Sequence, residues 1–432
     1  MVHEGKVHPE STYKDEAIYN VHEIDQEKAY KEYHIPLAMT ISKKKVLYEF
    51  RSKVEDAIQN GYILKKETFH YEHAKKDEEY LKELKIWGVP LLPSKGHEAT
   101  DAVLMKFLEA RCFKVSEAFH LLQRTLTWRM EIDMEELLQE KLGSDLDRLG
   151  RIGDTKAIKG QSLCYKFYGI YKDKDLYKER FNSDDKYEDY LRWNIQFIER
   201  CVQTIDFKPG GTNSIILIVD LKDAPTPLIK ELPNLHKKTL ALFQDYYPGI
   251  IYRHLILNAP LWLLTFHALQ VRTLTNRNYG KFIFVRPFRV SKTLLKFIAP
   301  EDLPVQYGGL KQESDELFPS NHKILNRRVK SGTKECIQIP VNKAGMTVLW
   351  DLTVVGFEVS YKVEFVPDDD CSYQILIQKE KKLGKTIRNS FHVREPGKIV
   401  IQIENATYTN KTVFCRHLIQ PTVTNFTWTK ND

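Results

Sequence analysis

The stretch KPGGTNSIILIVDLK, residues 208–222, decides how this chain folds, because a glycine turn leads there into an unbroken apolar run. The run IILIV at 215–219 leaves neither face of a strand polar. Strands that are apolar on both faces lie inside a sheet that is covered on both sides. The stretch therefore predicts a central strand with helices on either side, ending at Asp220-Leu221-Lys222.

Strand and helix patterns alternate on both sides of this strand, from about residue 155 to 310. Apolar runs at 163–168 and 255–257 predict neighbouring strands, and FIFV at 282–285 predicts a last buried strand that is entered through Lys281. Helical spacing occupies 190–207, and a further helix is predicted to begin at 293–298. This alternation predicts an α/β layered domain over residues 151–312.

The chain before this domain has helical periodicity. Leu47, Phe50, Val54 and Ile58 recur at spacings of three and four residues with charged residues between them, as on an amphipathic helix. Similar stripes continue through 104–126, so residues 41–150 are predicted to be helical. Residues 1–40 have little periodicity and are predicted to form a flexible tail.

The last hundred residues have a period of two instead. Apolar residues alternate with polar ones at 348–354, 357–365, 373–377 and 399–403, and turn residues such as Glu395-Pro396-Gly397 separate these segments. Four such segments predict an antiparallel β-sandwich at 333–432. The polar, aperiodic residues 313–332 are predicted to be a linker.

Composition and charge exclude several classes of protein. The 432 residues carry a formal net charge of +7, and no zinc-finger spacing or RNA-binding aromatic signature accompanies it, so we expect no nucleic-acid partner. Apolar runs reach about five residues, far short of the roughly 20 that span a bilayer. Six cysteines without a C-x-x-C pair favour free thiols, and the polar N-terminus lacks a signal peptide. We therefore expect a cytoplasmic protein.

The chain carries none of the common catalytic motifs. It lacks H-E-x-x-H, the phosphate-binding G-x-x-x-x-G-K-[ST], G-x-G-x-x-G and G-x-S-x-G, and its 14 histidines have no metal-ligand spacing. Asp220 ends a buried strand, where it could be a catalytic carboxylate or could bond a neighbouring backbone group; the second role is favoured. Ser162 is interpreted as a strand residue. We expect no catalytic residue, no metal site, no cofactor and no enzyme activity.

The segment LWLLTFHALQVRTL at 261–274 is apolar almost all round. Exposing about 30 lipid CH₂ groups to water would cost about 24 kcal/mol, so a lipid carrier needs a closed cavity and a gate. The segment could be this gate or a buried core helix.

A basic cluster lies in the last part of the chain. We call it the edge lysines, and its members are Lys379, Lys381, Lys382 and Lys385. The cluster is either a solvated surface run or a contact with an anionic membrane.

Several motifs in the same order resemble the patellins, in which a CRAL-TRIO lipid-binding lobe precedes a GOLD β-sandwich. They are WGVPLL at 87–92, VLMKFLEARCFKV at 103–115, PGG…DLK at 209–222, VQYGGL at 305–310 and VVGFEVSY at 354–361. The resemblance covers about residues 45–420. It implies a multidomain protein with an N-terminal helical region, an α/β CRAL-TRIO lobe and a C-terminal antiparallel GOLD sandwich.

The resemblance also implies site residues. Lys281 and Arg111 match headgroup contacts of phosphoinositide-binding relatives, whereas Gly249 replaces their acidic residue. Small hydroxyl residues that bind phosphatidylcholine in some relatives are replaced by apolar ones, which favours a phosphoinositide. The expected cavity or gate residues are Ile215, Leu217, Leu261, Trp262, Leu264 and Phe266.

The resemblance implies that the protein carries or presents one lipid at membranes during vesicle traffic, with a place at the cell plate or plasma membrane of dividing plant cells. The alternative is a trafficking adaptor that binds protein partners through its sandwich while the lipid lobe is vestigial. A co-purifying lipid would distinguish the two functions.

Overall fold

A computed structural model describes residues 41–64, 79–181, 184–208, 211–270, 281–313, 315, 317–318, 322–356 and 358–422. The tail predicted at 1–40 and the gate residues after Gln270 lie outside this part of the chain. The described residues form two compact units, one within residues 41–155 and 159–285 and the other within 156–158 and 286–422.

The first unit begins with helices, as predicted. Helix α1 (Ile41–Gln59) buries the four apolar residues of the predicted stripe. The small antiparallel pair β1 (Lys85–Ile86) and β2 (Val89–Pro90) follows, which the sequence did not predict. Helices α2 (Thr100–Ala110), α3 (Val115–Glu131), α4 (Met134–Gln139) and α5 (Ser144–Leu149) complete this region.

The turn between β1 and β2 carries Trp87 into the core. Its ring stacks on Phe107 at 5.8 Å and on Phe207 at 5.9 Å between centroids. These contacts join the hairpin to α2 and to the residues that precede the central strand.

A five-stranded sheet forms the centre of the first unit. It contains β3 (Gly150–Lys156), β4 (Ser162–Phe167), β5 (Ile215–Asp220), β6 (Ile251–Leu257) and β7 (Phe282–Val285), which lie side by side in this order. Strands β4 to β7 are parallel. Strand β5 is the middle strand and every residue in it is buried, which confirms its predicted central position.

Among the residues that the structure describes, four α-helices lie between these strands. They are α6 (Lys174–Phe181), α7 (Asp184–Val202), α8 (Thr226–Tyr246) and α9 (Leu261–Gln270). The helix predicted at 190–207 ends five residues early, at Val202. One hydrophobic cluster joins Leu217 and Val219 of β5 to Trp193 of α7 and Phe243 of α8.

The second unit holds a β-sandwich, as predicted. Helix α10 (Val290–Leu294) begins it, slightly earlier than the helix predicted at 293–298. Eight strands follow: β8 (Leu325–Val329), β9 (Thr333–Val341), β10 (Met346–Val355), β11 (Val359–Pro367), β12 (Ile375–Leu383), β13 (Ile387–Val393), β14 (Gly397–Asn405) and β15 (Lys411–Pro421).

These strands form two antiparallel sheets, in the orders β13-β10-β15-β8 and β12-β11-β14-β9. The alternating residues meet between the sheets, where Trp350, Tyr361, Phe365 and Ile401 are almost completely buried. The antiparallel sandwich is therefore confirmed.

The stretch predicted to be a linker, 313–332, contains strand β8. This strand pairs with β15 from Val329↔Lys411 to Leu325↔Cys415, so it belongs to the sandwich. Only Val329 of the strand is fully buried. An edge strand with a single buried side chain shows no period of two, and this explains why the sequence suggested a linker.

The outer face of the first sandwich sheet carries a buried network of charges. Asp351 of β10 is fully buried and accepts hydrogen bonds from Arg388 and from Arg416 at 2.7–2.8 Å. Asp315 binds the same two arginines at 2.7 Å. Phe318 lies against both guanidinium groups. Asp315 and Phe318, which precede β8, thus cover this face, and Asp315 supplies a negative charge to both arginines.

Candidate functional site

Lys281, a predicted headgroup contact, lies where the last parallel strand begins. Its backbone carbonyl accepts a hydrogen bond from the amide of His254 at 2.7 Å, which fixes the start of β7 against β6. The ring of His254 stacks on Phe282 at 4.4 Å. The side chain of Lys281 is half-buried at this end of the sheet.

Lys106 of α2 is a buried lysine that the sequence analysis did not identify. Only 8% of its surface is exposed, and its Nζ donates a hydrogen bond to the carbonyl of Gly249 at 2.8 Å. Gly249 has a φ of +67°, and a Cβ at that position would lie 3.1 Å from Cδ of Lys106. The glycine therefore permits both the left-handed turn and the close approach of the lysine.

The two lysines affect each other electrostatically. Burial lowers the pKa of Lys106 to about 8; Glu109 opposes this shift, and the positive charge of Lys281 adds to it. The acceptor that Lys106 binds is a backbone carbonyl, which carries no full negative charge. A phosphate near both ammonium groups would form charge-assisted hydrogen bonds, which are strong where water is excluded.

A buried ion pair holds the turn that carries Gly249. The hydroxyl of Tyr247 donates to Glu199 at 2.6 Å, and Glu199 forms a bidentate pair with Arg129. Burial and the negative charge of Glu199 raise the pKa of Tyr247 well above its usual value, so the phenol stays a hydrogen-bond donor. The adjacent Tyr246 stacks on Trp128 at 4.0 Å.

Arg111 lies just after the end of α2. Its Nη1 donates to the carbonyl of Ala110 at 3.3 Å, and the next two residues, Cys112 and Phe113, have positive φ angles. Residues five positions apart on a helix differ by about 140° around its axis. Arg111 therefore does not share the helix face of Lys106, and its contact with a headgroup stays a prediction.

The predicted cavity residues Ile215 and Leu217 are buried on one face of β5. Lys166 of β4 pairs with Val219, so its side chain lies on the same face of the sheet. Its ammonium group contacts Asn194, and burial lowers its pKa to about 7. Aromatic ring centroids lie 5.2–5.8 Å from Nζ and belong to Trp193, Phe197 and Phe243.

This second buried cation was also missed by the sequence analysis. Its only signal there is a lysine inside the apolar strand SLCYKF at 162–167.

The predicted gate begins with helix α9. Leu261 is 48% exposed and Trp262 is 40% exposed, whereas Leu263 is buried and Leu264 is half-buried. The first turn of α9 therefore presents apolar side chains to solvent, unlike a fully buried core helix. The side chain of Phe266 lies outside the described part of the structure.

The edge lysines are all exposed, but they do not form a single face. Lys381 lies 5.6 Å from the ring of Tyr361, whereas Lys382 pairs with Glu358 at 3.0 Å. Neighbouring residues of a strand point to opposite faces, and these two lysines follow that rule. Three of the edge lysines lie within β12 and Lys385 lies in the turn after it. Their contact with a membrane stays a prediction.

Asp220 has the structural role that was favoured. Its Oδ1 accepts hydrogen bonds from the Lys222 amide at 2.9 Å and from Asn258 at 2.6 Å.

All six cysteines are free thiols. Within the described ranges, no three or more His, Cys, Asp or Glu residues are grouped to hold a metal ion. None of the described helices has the length and apolar character needed to cross a membrane.

Two family models match this chain. Residues 164–309 match the CRAL/TRIO domain, and residues 330–411 match the Patellin-1-like, C-terminal GOLD domain. A similar solved structure, the crystal structure of Sfh5, has a TM-score of 0.45 and 19% identity, covering 57% of this chain and 83% of that one.

Relatives with curated names agree with both models. Patellin-4 of Arabidopsis thaliana is 40% identical over 82% of this chain and 64% of its own length, and Patellin-6 of the same plant is 37% identical over 76% and 80%. A phosphatidylinositol transfer protein of Candida albicans is 25% identical over 50% of this chain and 68% of its own. The chain spans 64% of Patellin-4 and 51% of Patellin-5. With both domain models in order and this identity to Patellin-6, the chain belongs to the patellin family.

Proposed function

We propose that the α/β lobe binds one membrane phospholipid and transfers or presents it at membranes. The observation that carries this proposal is the pair Lys106 and Lys281. Their two positive charges affect each other, and Lys106 is almost completely buried. Burying a charge is costly unless an opposite charge compensates it. Glu109 supplies part of that opposite charge, and a lipid phosphate would add to it, while the apolar residues of the same lobe suit acyl chains.

The proposed headgroup is a phosphoinositide. Phosphates on an inositol ring carry more negative charge than a zwitterionic headgroup, and the site offers two lysines. Gly249 leaves no carboxylate at that position to repel a phosphate. The similarity to a phosphatidylinositol transfer protein of Candida albicans supports an inositol lipid.

Access to the lipid is proposed to occur through α9. Its exposed Leu261 and Trp262 are the residue types that enter the interfacial region of a bilayer. Insertion of this turn would open the lobe at the membrane surface.

On the resemblance to plant patellins alone, we extend the proposal to vesicle traffic and cell-plate formation, with peripheral location at the cell plate or plasma membrane. A fluorescent fusion followed through plant cell division tests that extension.

The central experiment measures lipid in the full-length protein and binding by variants. Native mass spectrometry of the purified chain should reveal one phospholipid per molecule. Lys281→Ala should reduce binding to phosphoinositide vesicles without lowering thermal stability, because a half-exposed lysine contributes little to the core. Lys230→Ala removes the same charge from an exposed position on α8 and is the matched control.

Unchanged lipid selectivity in a folded Lys281→Ala protein would reject the headgroup site. A lobe that takes up no lipid would reject the proposed function and would favour the adaptor.

A further inference from the structure

Two turns at one end of the sandwich, residues 330–332 and 406–410, are joined by hydrogen bonds. The amide of Ser331 donates to Oδ1 of Asn410 at 3.1 Å, and the hydroxyl of Ser331 donates to the carbonyl of Thr407 at 2.7 Å. We call these two turns the sandwich tip.

A buried asparagine fixes the conformation of the tip. Asn405 is completely buried, and its Nδ2 donates to the carbonyls of Lys330 at 3.1 Å and of Thr409 at 2.8 Å. Its Oδ1 accepts hydrogen bonds from the amide of Thr407 at 3.1 Å and from the hydroxyl of Thr407 at 2.7 Å. An asparagine that bonds the backbone around it in this way stabilises a turn. The tip is therefore held in one conformation by its own hydrogen bonds.

Tyr408 is the large side chain that the tip presents to solvent. It is 99% exposed, and Thr409, Asn410 and Ser331 beside it are exposed and polar. A single exposed aromatic residue is common on protein surfaces. This one lies on a turn that is already ordered, so a partner that binds the ring would not have to order the loop first.

Positive charge surrounds the tip. Residues 322–334, which include β8 and the first turn of the tip, contain five lysines or arginines and no acidic residue. Residues 405–422 contain no acidic residue either. Glu404 precedes the second turn and already pairs with Lys334 at 3.0 Å. The five basic residues are all exposed, and they are Lys323, Arg327, Arg328, Lys330 and Lys334.

The turn that carries Lys385 lies at the same end of the sandwich. Strand β11 pairs antiparallel with both β12 and β14, so these two strands end beside the start of β11. Val359 of β11 pairs with Leu383 of β12, and the next residue, Ser360, pairs with Glu404 of β14. The turns that follow β12 and β14 therefore lie at one end.

The opposite end of the sandwich also carries an exposed tyrosine, but its charges differ. The alternation at 373–377 predicted an inward-facing Tyr373, whereas its side chain is 90% exposed. That prediction was wrong because β12 begins only at Ile375, which leaves Tyr373 in the preceding turn. Acidic residues outnumber basic ones in the turns at this end, where the acids are Asp368, Asp369, Asp370 and Glu395 and the bases are Lys343 and Arg394.

We propose that the sandwich tip docks on an anionic phospholipid membrane, with the ring of Tyr408 in the headgroup layer and the basic residues of 322–334 beside the lipid phosphates. Tyrosine is enriched at membrane interfaces because its ring is apolar and its hydroxyl is polar. Each lysine or arginine near an anionic surface strengthens binding about fivefold. The acidic end is repelled by the same surface, so the charges also orient the sandwich.

A membrane fits this surface better than an acidic protein does. A stable protein interface buries roughly 1,200 Å² or more and has an apolar core. The tip consists of two short turns in which Tyr408 is surrounded by polar side chains. One aromatic ring among hydrogen-bonding groups suits the headgroup layer, which requires no apolar core. The edge lysines include Lys385 at this end, so losing either basic group should leave binding weak.

Binding of the full chain to phosphatidylcholine vesicles, with and without phosphatidylserine, tests the proposal at several salt concentrations. The wild-type chain should bind when phosphatidylserine is present and should dissociate as salt rises. Tyr408→Ala should weaken this binding about tenfold. Tyr408→Trp should retain it, because indole also prefers the membrane interface. Tyr373→Ala removes a similarly exposed tyrosine from the acidic end and should bind as the wild type does.

The charges are tested separately. The triple variant Arg327→Gln, Arg328→Gln and Lys330→Gln should weaken binding to phosphatidylserine vesicles about 100-fold at low salt. Thermal melts of each variant establish that the sandwich is folded. The proposal does not depend on a lipid in the α/β lobe, so native mass spectrometry of the same samples reports on that lobe independently.

A wild-type chain that ignores phosphatidylserine vesicles at low salt would overturn the proposal. Equal losses in Tyr408→Ala and Tyr373→Ala would also overturn it, since the tip would then have no special role. If folded Tyr408→Ala and the triple variant both bind vesicles as the wild type does, membrane docking by the tip is rejected and an acidic protein surface becomes the partner to seek.

Discussion

Replacing Lys106 by methionine tests the candidate headgroup site through its effect on pH-dependent stability. Methionine keeps the length of the side chain and removes its charge. The pKa of Lys106 is about 8 in the folded protein and 10.5 for an ordinary lysine. At about 1.4 kcal/mol per unit, this difference corresponds to about 3 kcal/mol for an almost completely buried group.

The sign of the effect follows from proton binding. Between pH 8 and 10.5 the unfolded chain holds the proton on this lysine and the folded chain has released it. Stability rises with pH wherever the unfolded state binds more protons. The wild-type free energy of unfolding should therefore gain about 3 kcal/mol across this window from Lys106 alone. Below pH 8 both states hold the proton, so the contribution no longer varies.

Guanidinium unfolding at several pH values measures this gain, with separate transitions fitted for the two compact units. Lys166 also has a lowered pKa, so the informative quantity is the difference between wild type and Lys106→Met. That difference should change by about 3 kcal/mol across the window, and the variant should lose phosphoinositide binding. Lys230→Met should follow the wild-type curve. Parallel curves for wild type and Lys106→Met would refute the buried-charge argument.

Three further predictions follow from other parts of the fold. Hydrogen exchange of the described α9 amides, 261–270, should rise when vesicles are added if this helix is the gate; unchanged protection would reject the gate. Replacing the four edge lysines with glutamine should abolish any salt-sensitive binding to anionic vesicles, and wild-type binding that ignores salt would exclude them as the contact. Asp351→Asn should lower the free energy of unfolding by about 3 kcal/mol because buried Arg416 and half-buried Arg388 lose the charge of one of their two carboxylate partners. Glu358→Gln at an exposed pair should cost less than about 1 kcal/mol, and equal losses would contradict the buried network.

The regular elements could be predicted because their signals are local. The run at 215–219 is apolar on both faces and became the middle strand, and the alternation at 359–365 became a strand with one buried face. Each signal lies within a few residues of sequence. Strand β8 escaped prediction since its burial depends on a partner strand more than eighty residues later.

The charged parts of the candidate site could not be predicted for the same reason. Lys106 resembles any lysine on an amphipathic helix until Gly249 is placed against it, 143 residues away. Lys166 is buried by helices α7 and α8, which follow it in sequence. The sequence identified Lys281 through resemblance to a family. The structure adds Lys106, whose pKa is lowered mainly by burial and further by the positive charge of Lys281.

The VQYGGL motif at 305–310 helps to identify the family but contains none of the residues proposed to hold a lipid. In VQYGGL, the carbonyls of Gly308 and Gly309 accept hydrogen bonds from Thr353 and Thr386, and Leu310 binds Arg416. A Cβ at Gly309 would collide with the backbone of Leu303, so this glycine is required by packing. These contacts tie the motif to β10, to β15 and to the turn before β13 within the second unit. The candidate headgroup site is built from other segments, namely Lys106 of α2, the turn at Gly249 and Lys281 before β7, so substitutions there test lipid binding independently of the packing that VQYGGL provides.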